Sequence, residues 1–338
     1  VQRAFHRVAI VIGLAALAVS CAPARDSSSG AREHVRVVAL PYLTHMPFHI
    51  AKAEGYFEEQ GLDVEFLMLG RNQDVMTALA HGDVDAMAGM LTLNELSLAA
   101  ASARVRVVAA LTAPPPADVG CTQVAILIRR EHLASGAAAD PELVRKMRFD
   151  VHPFIPLAYA LDELLRSIDL TIDDVRLDDL LQPAALEAMR TGQIDVTADS
   201  EPFVGMHLAS GEVAVWRSVY DLLPDYLQSV MLFGPTLLDE RPEVGKRFMT
   251  AVLKAVRQYR LGKTPRNLEI VEHASGLTAE QVAGACWPTP TEHAKVDSAA
   301  FRGYQEWLVR RGLLERLLSD DELVDHRFID YANVELAR

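Results

Sequence analysis

The chain has 338 residues, half of them hydrophobic, with a formal net charge of −13. That is enough for two lobes of ordinary size, each with its own core, and it excludes a chain that is mostly disordered. The acidity argues against a nucleic-acid partner, and removing a leader that carries Arg3 and Arg7 makes the charge more negative still. Arg3, His6 and Arg7 precede an apolar run, Val8 to Val19, that is too short to cross a hydrocarbon core of about 30 Å. Residues 1–20 are therefore predicted to be a lipoprotein signal peptide. Ala18, Val19 and Ser20 lead directly into Cys21, the arrangement expected where a cysteine is exposed by cleavage and lipid-modified, although the leucine stands at position 17 rather than 18. Residues 21–34, rich in Ser, Gly and Ala, read as a flexible tether.

Val35 to Leu40 reads as a short strand buried on both faces, and Pro41 to Met46 as a loop. The stretch from Pro47 to Phe66, PFHIAKAEGYFEEQGLDVEF, predicts a helix opened by a proline, with Ile50, Ala51 and Ala53 inward, then Gly61 and an alternating strand. This helix-to-strand joint resembles the signature of the SsuA/THI5-like (NMT1-like) solute-binding proteins of ABC importers.

The strand Leu62 to Leu69 is followed by Gly70, a helix capped by Asn72 or Asp74 and ending at His81-Gly82, and the strand Asp85 to Ala88. Strands are also predicted at Arg104 to Leu111, Thr122 to Arg129, Arg148 to Val151, near Val175, Ile194 to Thr197 and Ser229 to Phe233. Helices are predicted at Leu157 to Ile168, Pro242 to Arg260, Ser298 to Arg311 and Leu323 to Leu336. MTALAHGDVDAMA, with Gly82 and Asp85, is echoed by LEAMRTGQIDVTA, with Gly192 and Asp195, which predicts one helix-to-strand module used twice.

The resemblance extends from Val35 nearly to the end and includes the closing phrase LVDHRFIDYANVEL. It implies an α/β, periplasmic-binding-protein-like (type II) fold: two α/β lobes joined by two hinge strands, with a ligand cleft between them. Lobe 1 is expected to comprise 35–125 and 233–338, and lobe 2 to comprise 126–232. The implied function is extracytoplasmic capture of a small nutrient and delivery to a membrane permease. The chain would act as a monomer anchored through Cys21, without a cofactor and without catalysis. An enzyme on the same scaffold, such as a THI5-like pyrimidine synthase or a menaquinone-pathway enzyme, is the alternative.

In open α/β sheets ligands bind beyond the carboxyl ends of the strands. The candidate ligand residues are accordingly Tyr42, Thr44, His45, Arg71, Asn72, Met90 and Thr92 from lobe 1, and His152, Phe154, Asp199, Ser200 and Glu201 from lobe 2. Arg71 suits a sulfonate or carboxylate, whereas Asp199 and Glu201, with the aromatics Tyr42, Phe154 and Phe203, favour a nitrogen-containing organic solute. The family also admits aliphatic sulfonates, taurine, nitrate or bicarbonate, and thiamine-type pyrimidine precursors. No CxxC, HExxH or Cys/His cluster suggests a metal. With Cys21 lipidated, Cys121 and Cys286 are expected as two buried free thiols; a disulfide between them is permitted but not fixed by spacing.

Overall fold

A computed structural model describes residues 32–338, apart from 70–71, 102–103, 117–119, 181 and the side chains of 72–73. The leader, Cys21 and most of the tether thus lie outside the described residues, as does Arg71. The described residues form two five-stranded sheets. The first contains β1 (Glu33–Val38), β2 (Leu62–Phe66), β3 (Ala86–Gly89), β4 (Arg106–Ala110) and β10 (Val230–Phe233) in the order β2-β1-β3-β10-β4. The second contains β5 (Val124–Arg129), β6 (Arg148–Asp150), β7 (Arg176–Asp178), β8 (Val196–Ser200) and β9 (Val213–Ser218) in the order β7-β6-β8-β5-β9.

The two sheets have one topology. In each, the first three strands of that order run parallel, and one antiparallel strand, β10 or β5, is the first strand after the chain passes from the other sheet. Val124 to Ile128 are fully buried, which is why that segment reads as a continuous apolar run and does not alternate. The lobe borders expected at 125/126 and 232/233 fall inside β5 and β10, and each strand lies wholly in one sheet. The segments that pass between the two sheets are the crossovers, 111–123 and 219–229. The crossovers touch: Leu111 N–H donates to Ser229 O at 2.9 Å, and Ser229 N–H to Thr112 Oγ1 at 3.0 Å.

The repeated sequence module is also repeated in atoms. Gly82 (φ +79°) and Gly192 (φ +71°) turn the chain out of their helices through the left-handed region. Asp85 accepts from the Arg36 backbone N–H at 2.7 Å and pairs with its guanidinium, which also donates to Gly82 O. Asp195 accepts from the Arg148 backbone N–H at 2.9 Å and pairs with that guanidinium, which also donates to Gly192 O. Each aspartate locks the start of β3 or β8 to its parallel neighbour, β1 or β6.

Several expectations need correction. The helix after the first loop is two pieces, Met46–Ala53 and Tyr56–Glu59, because Gly55 adopts φ +74°. Ala53 is exposed, and it is Phe57, 1% exposed, that points inward to stack on Phe248 with ring centroids 5.2 Å apart. The helix expected over Leu323 to Leu336 is broken into Asp320–Leu323 and Arg327–Glu335, since Val324 is extended and bridges Val107 in β4. β9 and the helix Leu93–Ala100 were not expected. Cys121 and Cys286 are not free thiols: they are disulfide-bonded, with Cα atoms 5.8 Å apart.

The last third of the chain serves both lobes. Pro242–Tyr259 packs against Met46–Ala53 and Arg327–Glu335 on the first sheet. Arg302–Arg310 instead lies on Pro156–Arg166 of lobe 2, where Trp307 Nε1–H donates to the buried Asp162 at 2.9 Å. The chain then returns to β4, where Asp325 N–H donates to Val107 O at 2.9 Å.

Candidate functional site

The carboxyl ends of β1, β3, β6 and β8 line a cavity of about 370 Å³. On the lobe 1 side, Tyr42, Thr44 and His45 come from the turn that opens the helix Met46–Ala53, and Met90, Thr92 and Asn94 from the start of Leu93–Ala100. Lobe 2 supplies Asp150 at the end of β6 and His152 just after it, Asp179, Leu180 and Gln182 after β7, and Thr197 to Ser200 from β8. The second crossover adds Gln228 and Ser229.

Among the described residues, the lobe 1 wall is uncharged. His45 is 5% exposed, and its Nδ1 accepts the Leu40 backbone N–H at 3.1 Å, which leaves the proton on Nε2. Burial, helped by His49 nearby, drives its pKa down to about 3, so the ring stays neutral. Burial and then the charge of Asp199 push the Tyr42 hydroxyl up to about 12. The Tyr42 ring lies 5.7 Å from His45 and 5.5 Å from Phe203. Thr92 caps Leu93–Ala100 in a capping box with Glu95, which occupies its hydroxyl.

The lobe 2 wall is acidic. Asp199 Oδ2 accepts Gln182 Nε2–H at 2.7 Å and Oδ1 accepts Ser200 N–H at 2.8 Å; His207 Nε2 lies behind, 3.7 Å from Oδ2. Asp150, 5% exposed, accepts Leu180 N–H at 2.7 Å. Burial first, then Asp179, Asp199 and Asp178, push its pKa up from 3.8 to about 6. His152 Nε2 lies 3.9 Å from Asp179 Oδ2. Among the described lining residues there is no Arg or Lys.

Asp150 gives a pH test. The folded chain keeps a proton on Asp150 that the unfolded chain loses between about pH 4 and 6, so this group lowers stability as pH rises through that window. Asp150→Asn retains an acceptor for Leu180 but no charge. Urea unfolding should find it more stable than the parent by roughly 1 to 3 kcal/mol at pH 7.5 and indistinguishable at pH 3.5. Equal stability at both pH values would mean that Asp150 is ordinarily solvated.

Of the residues singled out from the sequence, Tyr42, Thr44, His45, Met90, Thr92, His152, Asp199 and Ser200 meet around this cavity. Arg71 and the side chain of Asn72 lie outside the described residues. Two others are placed elsewhere. The Phe154 side chain is 40% exposed, while its carbonyl accepts from Leu93 N–H at 3.2 Å and Tyr304 O–H at 2.7 Å, joining the lobes at the cleft edge. Glu201 is 3% exposed and turned away from the cavity, accepting the N–H groups of Cys286 at 2.8 Å and Gly205 at 3.1 Å. Burial raises its pKa, opposed by those two amides.

Sequence reasoning missed Asp150, Asp179, Gln182, Gln228 and Ser229. Asp150 and Asp179 stand at strand carboxyl ends, so the crevice rule could have found them. Gln228 and Ser229 precede β10, which runs antiparallel to β3 and so brings its amino end to the cavity, where that rule does not look.

The NMT1-like family model matches residues 29–292. No curated protein matches the chain. Among solved structures, the chain is similar to the ligand-binding component of an ABC-type import system from Staphylococcus aureus, solved with zinc bound. The TM-score is 0.73 at 14% identity, over 89% of this chain and 99% of that one. It is similar to the periplasmic nitrate-binding protein NrtA from Synechocystis PCC 6803, with a TM-score of 0.72 at 12% identity over 90% and 89% of the two chains. For the periplasmic aliphatic sulphonate-binding protein SsuA from Escherichia coli the TM-score is 0.69 at 16% identity, over 87% and 92%.

Proposed function

Because the chain belongs to the NMT1-like family, we propose that it is the extracytoplasmic solute-binding protein of an ABC importer, capturing a small nutrient between its lobes and handing it to the permease. The carrying observation is the cavity, built from loops of both lobes where the carboxyl ends of two equivalent sheets face each other. Its acids favour a nitrogen-containing solute over nitrate or a sulfonate, since Asp150, Asp179 and Asp199 line it with no described cation beside them. Binding without turnover fits the way the polar groups are held. His45 is kept neutral by burial with its tautomer set by Leu40 N–H, and Asp199 is fixed by Gln182 and Ser200, so both suit hydrogen bonding better than proton shuttling.

Native mass spectrometry of protein purified from its own host, followed by release of the bound solute, tests this. A small molecule recovered unchanged is expected; a chemically altered product would favour an enzyme, and no bound or bindable solute would end the proposal. The protein would work as a monomer tethered by lipid at Cys21. Cys21→Ala should move it from the detergent phase to the aqueous phase or leave an unprocessed precursor, and unchanged partitioning would remove the anchor.

A further inference from the structure

Gln228 and Ser229 are 4% and 2% exposed, and both line the cavity. Among the described residues, Gln228 Oε1 and Ser229 Oγ nonetheless have no hydrogen-bond partner, nor does Gln182 Oε1 on the opposite lobe wall. Buried acceptors are rarely left unmatched, because desolvation is then uncompensated. An amide oxygen can be satisfied only by a donor, and a hydroxyl accepts one readily. The lobe 2 wall presents more acceptors, the carboxylates of Asp150, Asp179 and Asp199.

The opposing influence is the helix starts at the cavity, whose positive ends attract anions. A helix end carries about half a unit charge, against a whole one on each ionised carboxylate. One of these ends is also already engaged, since Leu93 N–H donates to Phe154 O and Thr92 N–H to Glu95. Among the described residues the balance in the cavity is therefore negative and rich in acceptors.

We infer that the solute is a small organic cation with N–H donors at two separate positions, one held by the lobe 2 carboxylates and the other by Gln228 and Ser229 on the crossover. This rests on the solute-binding reading and deepens it. Ser229 also pairs with Leu111 and Thr112 of the other crossover, so a ligand bound there touches the segment about which the lobes would turn.

Calorimetric titration of the full chain at pH 7.5 with putrescine, agmatine, n-butylamine, taurine and nitrate tests it. Putrescine or agmatine should bind at least tenfold more tightly than n-butylamine. Gln228→Met should remove that preference, weakening the two-ended amines by about tenfold, without lowering the melting temperature of the unliganded protein. Asp199→Asn should weaken every amine. Equal affinity for putrescine, agmatine and n-butylamine, or a Gln228→Met variant that melts lower yet binds unchanged, overturns the inference. Binding of taurine or nitrate in place of the amines also overturns it, while leaving the solute-binding reading intact. If none of the five binds and no small molecule accompanies the purified protein, both fall.

Discussion

Asp85→Ala is expected to destabilise the protein by about 3 to 5 kcal/mol, and the equivalent Asp195→Ala by about 1 to 3 kcal/mol. The Asp85 side chain is fully buried and takes the Arg36 backbone N–H and guanidinium together, with Arg241 Nη2 3.7 Å away. Alanine would leave a strand amide and a partly buried guanidinium uncompensated, the situation in which a broken ion pair costs most. Asp195 makes the corresponding contacts with 13% of its side chain exposed and a half-exposed arginine, so water replaces part of what is lost. Urea unfolding of the two variants gives the comparison directly. Losses under about 0.5 kcal/mol at both positions would show the pairs to be solvated decoration rather than locks.

The second large effect should come from the disulfide. Cys121 and Cys286 are 165 residues apart, and the chain-entropy relation for a closed loop of that length gives roughly 5 kcal/mol at 25 °C. The bonded segments are held by more than the bridge: Cys286 N–H donates to Glu201, and Gln123 Nε2–H to Trp287 O at 3.0 Å. These contacts restrain the same region after reduction but do nothing for the unfolded chain, so the entropic loss should be felt nearly in full. The Cys121→Ala, Cys286→Ala double variant should lose about 3 to 5 kcal/mol, and adding a reductant to the parent should bring it to the same midpoint. A reductant that leaves the parent's midpoint unchanged would mean that the thiols are already free in solution.

The fold was largely legible because it is written in backbone chemistry. Glycines at 82 and 192 each end a helix in the left-handed region, each is followed three residues later by an aspartate, and the apolar strands are buried on both faces. Such signals are local. The break at Gly55 was visible too, since AEGY sets a glycine inside an apparent helix, but the helical pattern on either side concealed it. What sequence could not supply was direction and pairing across the chain. A carboxylate before proline in a loop looks like a ligand group, and only the fold shows Glu201 facing Cys286, 85 positions away. Phe154 looked like an aromatic platform, whereas its carbonyl is the part engaged. Gln228 and Ser229 carried no signal, because nothing in SVMLF says that the strand runs antiparallel.

The entry of β10 into the first sheet also sets how much of the chain each sheet needs before its ladder can close. The second sheet is drawn from one continuous stretch, β5 to β9, and can pair its strands from residues up to 218 alone. The first sheet cannot, although four of its strands are made earlier: β3 and β4 have no contact in the ladder until β10 arrives to lie between them. Even then lobe 2 keeps an open apolar face until Trp307 reaches Asp162. The first sheet thus depends on more of the chain than the second, and until β10 is in place β3 and β4 present unpaired edges of the kind that chaperones shield.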